Sequence, residues 1–452
     1  MAAIEEQVGS KSELETCLIC ATVSIGLEKI CALECQRKLA CKVRPGRGRI
    51  YFEIPRNDLG KIKDLRSVEN LFVVVADFAC FEFPADESVD ETLERFYHLS
   101  ENLDWTSAIQ IWQEFNENSS HSPVPKFLPL SKFNSGKPAY RTKPLNESPD
   151  NVEVQNKAFV PSDGQIENKE AIENISDKET ERDRPLPRFR VTCTRTHSPP
   201  NQKHAFTSMQ AAAKFGGGIN DMFGWIVDLE NYNIEVLLNI VDTHVVVGIS
   251  LTKESLFRRN IVNFGPTTLK STLAYCLALA AEIKTGDVVC DPLCGSGAIS
   301  IECAVEWSTS FNISGDNFHL APSRTQDNVA FVNNQRAMMK KKRITVDTHL
   351  WDACHLPLKT NSVDVFITDL PFGKKSGSMH KNWELYPDVL LEMARVCQRE
   401  SGRAVILTKD KKAISKTFTQ TAQFWRKKFT YWINIGGMQA GVYILQRTAN
   451  AI

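Results

Sequence analysis

The sequence predicts an α/β protein: a doubly wound domain over residues 255–452, preceded by smaller α+β units. Three observations carry this. From Gly265 onward, short apolar runs alternate with segments of helical period. One such run ends at Asp291 and is followed at once by a glycine-rich turn that opens a helix. Before residue 255, strands and helices alternate in shorter units separated by a long polar stretch.

Residues 12–120 form the first unit. Strands are expected at Leu14–Val23, Arg49–Ile54 and Leu71–Ala76, and helices at Leu27–Leu39 and Glu87–His98, with Asp86 as N-cap of the latter. Residues 121–187 hold nine of the twenty prolines and few apolar residues, so they read as a linker or a disordered insertion. Residues 188–253 form the next unit. It has a strand at Phe189–Arg195, a helix at Ser208–Phe215 running into Gly216–Gly218, and a second helical piece at Ile219–Trp225. Paired strands at Ile234–Ile240 and His244–Ser250 close it.

In residues 255–452 strands are expected at Asp287–Cys290, Ile313–Asp316, Thr345–Trp351, Val363–Thr368 and Ala404–Thr408. Helices fall at Leu269–Ala281, Gly297–Trp307, Pro322–Met339, Leu385–Val396 and Ala413–Gln420. Tyr431–Ile435 and Gly441–Gln446 close as a hairpin, the expected antiparallel addition to a mainly parallel sheet.

Composition bounds the function. Fifty-four basic and fifty-four acidic residues give zero net charge, which excludes a polyelectrolyte but allows a basic face on a neutral whole. Met1–Lys11 is acidic and lacks the apolar core of a secretory signal. Apolar runs such as Leu71–Ala76 and Cys276–Ala281 fall far short of the ~20 residues needed to cross a bilayer, so no membrane association is expected. Thirteen cysteines, an odd number, fit a reducing compartment; the cytoplasm is expected, with the nucleus as a second location. Cys17 and Cys20 form C-x2-C, but on a strand they point to opposite faces, so no metal is expected there.

The strongest local signal is Asp291-Pro292-Leu293-Cys294-Gly295-Ser296-Gly297. Ligands of open α/β sheets sit beyond the strand carboxyl ends, and glycines let the backbone approach them. A dinucleotide fingerprint would need three glycines, and a carboxylate beside a diphosphate would repel it. A cationic ligand suits Asp291 better, which favours S-adenosyl-L-methionine, with its sulfonium, over NAD. Asp316 ends the next strand, 25 residues after Asp291, near the ~20-residue spacing of a ribose-binding acid. Asp352 follows the third strand, placed for an adenine amino group, and Asp369 the fourth. Asn317 and Ala353 adjoin these acids and complete the cofactor set.

Asp369-Leu370-Pro371-Phe372 follows the fourth strand. It resembles the [DNS]-P-P-[YFW] motif of methyltransferases acting on exocyclic amino nitrogens, with Leu370 replacing the first proline. A conjugated amine is a poor nucleophile. Asp369 and a backbone carbonyl near Leu370 would accept its two hydrogens, Pro371 would stiffen the loop, and Phe372 would offer a stacking face.

Longer stretches extend the likeness: Leu65–Val75, Phe189–Cys193, Glu235–Ile240, Arg258–Asn260, Phe264–Leu269, Asp291–Ile299 and Thr368–Lys374. Through them the chain resembles the THUMP-domain RNA guanine-N2 methyltransferases. That resemblance implies an N-terminal ferredoxin-like module at 12–120, a THUMP module at 188–253 and a Rossmann-like methyltransferase domain at 255–452. It implies that the THUMP module grips the tRNA acceptor end and that the product is N2-methylguanosine in the acceptor-stem region. It also implies a small zinc-binding activator protein as partner in a heterodimer. Gly265, Pro266, Thr267 and Thr268 resemble the segment that closes over the methionine end of the cofactor. The alternatives are another RNA, such as a spliceosomal RNA, as substrate, or a non-catalytic RNA-binding adaptor.

Phosphate contacts are expected from Arg47 and Arg49 and from Lys374 and Lys375 beside the reactive loop, with further basic runs at Lys340–Arg343 and Trp425–Lys428. Gly216–Gly218 reads equally as a backbone approach to RNA or as a helix end. Val405-Ile406-Leu407 is the candidate apolar surface for the activator, and residues 255–452 alone are expected to bind the cofactor.

Overall fold

The computed structural model describes residues 16–84, 86–117, 186–197, 204–373 and 378–452. Met1–Lys11, Lys374, Lys375 and all of the 121–187 stretch except its last two residues lie outside the described residues.

The N-terminal half is built on strands β1 (Thr16–Thr22), β2 (Val43–Gly46), β3 (Arg49–Pro55), β4 (Asn70–Phe78), β5 (Arg188–Thr196), β6 (Ile226–Val227), β7 (Ile234–Val241) and β8 (His244–Ser250). Its helices are α1 (Glu28–Leu39), α2 (Val89–Glu101), α3 (Thr106–Glu117) and α4 (Ser208–Phe223). The strands flanking the long polar stretch join one sheet, in the order β2-β3-β1-β4-β8-β7-β5-β6. The seam is β4 against β8, antiparallel from Phe72–Ser250 to Phe78–Val245.

That sheet curls. Arg49 on β3 donates to Asn239 on β7 (2.8 Å) and Thr194 on β5 (3.1 Å), four and five places away in strand order. A flat sheet would put those strands roughly 20 Å apart. Cys20, Tyr51, Phe72, Leu237 and Val246 fill the inner curve. Cys17, Ile19 and Ala21 join the large core on the other side, so Cys17 and Cys20 do face opposite ways.

Two local readings are corrected. The cap of α2 is Ser88, not Asp86: Ser88 Oγ accepts from the Glu91 N–H (3.2 Å) and Glu91 Oε2 from the Ser88 N–H (2.8 Å), a reciprocal capping box. Gly216–Gly218 neither ends a helix nor awaits RNA; α4 runs straight through it. A Cβ on Gly218 would stand 2.6 Å from the Tyr97 carbonyl oxygen of α2, so the glycine lets two helices touch.

The C-terminal half alternates α5 (Ser271–Ala280), β9 (Val288–Asp291), α6 (Ala298–Glu306), β10 (Phe311–Asp316), α7 (Ala321–Met338), β11 (Asp347–Leu350), β12 (Val365–Asp369), α8 (Met379–Val396), β13 (Arg403–Thr408) and α9 (Lys411–Gln420), then β14 (Trp425–Ile435) and β15 (Met438–Arg447). The strand order is β11-β10-β9-β12-β13-β15-β14, parallel except for β15. The order reverses between β9 and β12, which is the switch point where such sheets bind ligands. Alternating residues feed two cores: Val289, Ile367 and Val405 on one face, Cys290, Phe366 and Ile406 on the other. Val405, Ile406 and Leu407 are therefore fully buried in a central strand and offer no partner surface.

The halves share a core. Cys31 of α1 and Cys276 of α5 lie 3.8 Å apart, sulfur to sulfur. Arg66 makes a two-nitrogen clamp on the buried Glu302 of α6 (2.9 and 2.6 Å), whose other oxygen accepts from Asn260 (2.8 Å). Lys38–Glu306 (2.8 Å) and Glu69–Lys270 (3.0 Å) flank that joint. A fragment starting at residue 255 would lose Arg66 from the buried Glu302 but keep Arg259 and Asn260 beside it.

Candidate active site

Each acid expected at a strand end stands at the carboxyl edge of the second sheet. Asp291, 2% exposed, accepts from the Leu293 N–H through Oδ1 (3.2 Å), while Oδ2 has no partner. The turn after it needs its glycines: Gly295 has φ 55° and Gly297 φ 80°. A Cβ on Gly297 would strike Thr325 of α7 at 2.5 Å. A Cβ on Gly295 would meet nothing within 4 Å, so the space above that residue is open.

Asp316 holds the turn. Its Oδ2 accepts from the Gly295 N–H (3.0 Å) and its Oδ1 from the Phe318 N–H (2.9 Å), with Asn317 exposed between. Asp352 accepts from the Cys354 N–H (2.9 Å) and meets His355 Nδ1 at 3.2 Å. The backbone N–H first, then the imidazole, keep its carboxyl below the usual range. Ala353 and Pro292 are buried, and the Pro292 carbonyl accepts from Trp351 Nε1 (3.1 Å). Cys294 needs correction: its thiol faces inward toward Thr325 (3.8 Å) and burial pushes it up, so only its backbone borders the turn.

The loop bearing Gly265, Pro266, Thr267 and Thr268 is fastened to this turn. Thr268 Oγ1 accepts from the Gly265 N–H (2.7 Å) and lies 2.8 Å from Ser296 Oγ. Asn328 of α7, wholly buried, accepts from the N–H groups of Val262 and Asn263 (2.9 and 2.8 Å) and donates to the carbonyls of Asn263 and Ser296 (3.0 and 2.9 Å). Pro266 and Thr267 remain exposed.

Asp369 ends β12, the strand beside β9, and so shares the sheet edge at the switch point with Asp291. Burial pushes Asp369 up to about 7, with Asp316 adding repulsion. Asp291 is raised well above the carboxylate range, by burial first and by Asp369 next. Three carboxylates with no cation paired to them among the described residues describe a site suited to positive charge.

Beyond Asp369 the sequence reading needs refinement. Leu370 is 1% exposed and its side chain belongs to the core. Its N–H donates to the Leu407 carbonyl (2.9 Å), while its own carbonyl is unpaired among the described residues. The Pro371 carbonyl is taken by Tyr386 Oη (2.6 Å) and Asn382 Nδ2 (3.1 Å). Phe372 is half-buried beside the larger core. Asn382 and Tyr386, spaced i, i+4 on the helix after the loop, escaped the sequence reading; that spacing was the signal.

The RNA-contact set also changes. Arg47 is exposed in the β2–β3 turn. Arg49 is 8% exposed, with its guanidinium committed to Asn239 and Thr194, so it stiffens the curled sheet and reaches no phosphate.

The RMKL-like methyltransferase domain of the UPF0020 family matches residues 258–441. The chain is 41% identical to the tRNA (guanine(6)-N(2))-methyltransferase THUMP3 of Bos taurus, over 97% of this chain and 90% of that protein. It is 29% identical to the U6 snRNA (guanine-N(2))-methyltransferase THUMPD2 of Mus musculus, over 86% of this chain and 74% of that protein. The crystal structure of TrmN from Thermus thermophilus superposes with a TM-score of 0.63 at 19% identity, covering 96% of this chain and all of TrmN, so the fold is shared along both chains. The joint, the latch on the glycine turn and the Asp369 loop thus lie inside a full-length likeness, and the chain belongs to the THUMP3 family of guanine-N2 methyltransferases.

Proposed function

We infer that this chain methylates the exocyclic N2 of a guanosine in the acceptor-stem region of tRNA, with S-adenosyl-L-methionine as donor. The observation that carries the chemistry is Asp369 with the free Leu370 carbonyl, set one strand from the orphaned Asp291 oxygen. The residues present fit the donor: an unpaired buried carboxylate oxygen, open space over Gly295, and acids for a ribose diol (Asp316) and an adenine amine (Asp352). When bound, S-adenosylmethionine supplies an electrophilic methyl on a sulfonium.

The chain's own groups do the rest. Asp369 and the Leu370 carbonyl accept the two amine hydrogens and turn the nitrogen lone pair outward. Tyr386 and Asn382 hold the Pro371 carbonyl, which fixes the direction of its neighbour. Phe372 offers its open face to the base, which must leave its stack to reach this depth. Asp369, raised to about 7, can take the proton released as the nitrogen gains its methyl.

The relatives' printed names favour guanosine 6 of tRNA as the position. A small zinc-binding activator remains part of this reading. Its seat is better placed at β11, the outer strand, near exposed Leu350, Phe311, Met338 and Met339. Thirteen unpaired cysteines support work in the cytoplasm. The test is methyl transfer from labelled donor to tRNA and to U6 snRNA, with the modified nucleotide mapped. Transfer to U6 snRNA alone would overturn the tRNA assignment. Full activity without any partner would remove the activator.

A further inference from the structure

The last 42 residues, Lys411–Ile452, hold seven Lys or Arg and no Asp or Glu, in a chain of zero net charge. Arg447 is buried, but Lys411, Lys412, Lys416, Arg426, Lys427 and Lys428 are exposed, and none has an acidic partner among the described residues. Three of these lysines sit over aromatic rings instead. Lys411 Nζ lies 4.3 Å from the Trp432 ring centre, Lys416 Nζ 5.0 Å from Trp383, and Lys427 Nζ 5.9 Å from Phe418. Trp432 is 47% exposed and Trp383 40%. Lys411 also donates to Gln439 Oε1 (2.6 Å), but no carboxylate balances these ammonium groups beside indoles open to water.

The patch adjoins the reactive loop through a single side chain. Asn382 Nδ2 donates both to the Pro371 carbonyl and to Asp410 Oδ2 (3.1 Å each). Asp410 caps α9 by accepting the Ala413 N–H (3.0 Å), and α9 carries Lys411 and Lys416. Trp383 is the residue after Asn382. The patch therefore lies one buried side chain from the loop that follows Asp369.

We propose that the exposed face of α9, with Trp383 and the β14 residues Lys427 and Trp432, binds the RNA strand flanking the target guanosine. The lysines take its phosphates, and the indoles stack on bases uncovered when the target leaves the helix. This rests on the reading of the Asp369 cleft as an RNA methyltransferase site. Unmatched positive charge next to the acceptor loop fits a phosphate backbone.

The test uses the full chain, a tRNA transcript and three variants: Lys411→Gln/Lys416→Gln/Lys427→Gln, the same three sites changed to Arg, and Trp383→Ala. Filter binding is measured across a salt series, with donor affinity and melting temperature alongside. The Gln variant is expected to bind tRNA about tenfold more weakly, with a salt slope shallower by about two units, as for two or three lost phosphate contacts. The Arg variant should match the parent. Trp383→Ala should weaken tRNA binding several-fold and remove part of the fluorescence quenching that RNA causes. Donor affinity and melting temperature should hold in all three. An unchanged tRNA affinity and slope in the Gln variant, while the parent methylates tRNA, would overturn the patch and leave the enzyme reading intact. So would a loss confined to binding of a protein partner, or an equal loss of melting temperature in the Gln and Arg variants. A parent that transfers no methyl to any RNA would sink both.

Discussion

Arg49 and Asp291, one in each sheet, are buried charged groups with opposite surroundings. In the curled N-terminal sheet, Arg49 is sealed in and partnered by Asn239 and Thr194. In the C-terminal sheet, Asp291 is sealed in with one oxygen unpartnered and a second carboxylate one strand away. A buried charge partnered by its own chain is structural; a buried carboxylate short of a partner beside an open glycine turn has room for a cationic ligand. By that rule Arg49 leaves the list of RNA contacts and Asp291 stays among the cofactor residues.

The largest effect is expected at Asp369: Asp369→Ala should cut methyl transfer by about 10³-fold and leave donor affinity within about threefold. Near-normal turnover by a folded variant would end its role. Asp316→Ala should weaken donor binding by about 10- to 100-fold, because it removes a carboxyl acceptor and frees the Gly295 N–H. Titration calorimetry reads this, with tRNA affinity as the control. Arg49→Leu should lower stability by about 1–3 kcal/mol, leaving Asn239 and Thr194 without their donor, yet leave the salt slope of RNA binding alone. A shallower slope would return Arg49 to the RNA surface.

The smallest effect is in pH. Asp369 titrates near 7 in the folded chain and near ~4 unfolded, so folding favours its protonated form. Its contribution to stability is greatest below ~4, declines as pH rises toward about 7, and is flat above. Donor affinity should move the other way and rise through about 7, as the carboxylate forms. Asp369→Asn should flatten both curves. An unchanged melting profile in that variant would assign the titration elsewhere.

The glycine turn and the four acids were legible because each is local: a strand end, a turn, a spacing. What stayed hidden depends on chain segments far apart. Arg49 looked like part of a basic loop because nothing in Arg44–Arg49 announces that β3 will curl against β7, 190 residues away. Val405-Ile406-Leu407 reads the same as an exposed apolar edge or a central strand; only pairing with β12 and β15 decides. Gly216–Gly218 carries the usual mark of a helix end, and tertiary contact with α2 overrode it. Arg66 and Arg259 were noticed as part of a likeness, but their meeting at Glu302 was not.

The acids of the cleft also bear on turnover. Giving up a methyl turns the donor from a cation into a neutral thioether, and once Asp369 has passed the released proton to solvent, it and Asp291 regain the charge they held before. The cleft thus discriminates between loaded and spent forms of one molecule by charge rather than by shape, and does so more strongly in alkali. The ratio of dissociation constants for S-adenosylhomocysteine and S-adenosylmethionine should rise between pH 6 and pH 8 and stay level in Asp369→Asn. Methylation by such a protein would track the cell's balance of fresh to used donor, with its acids acting as the comparator.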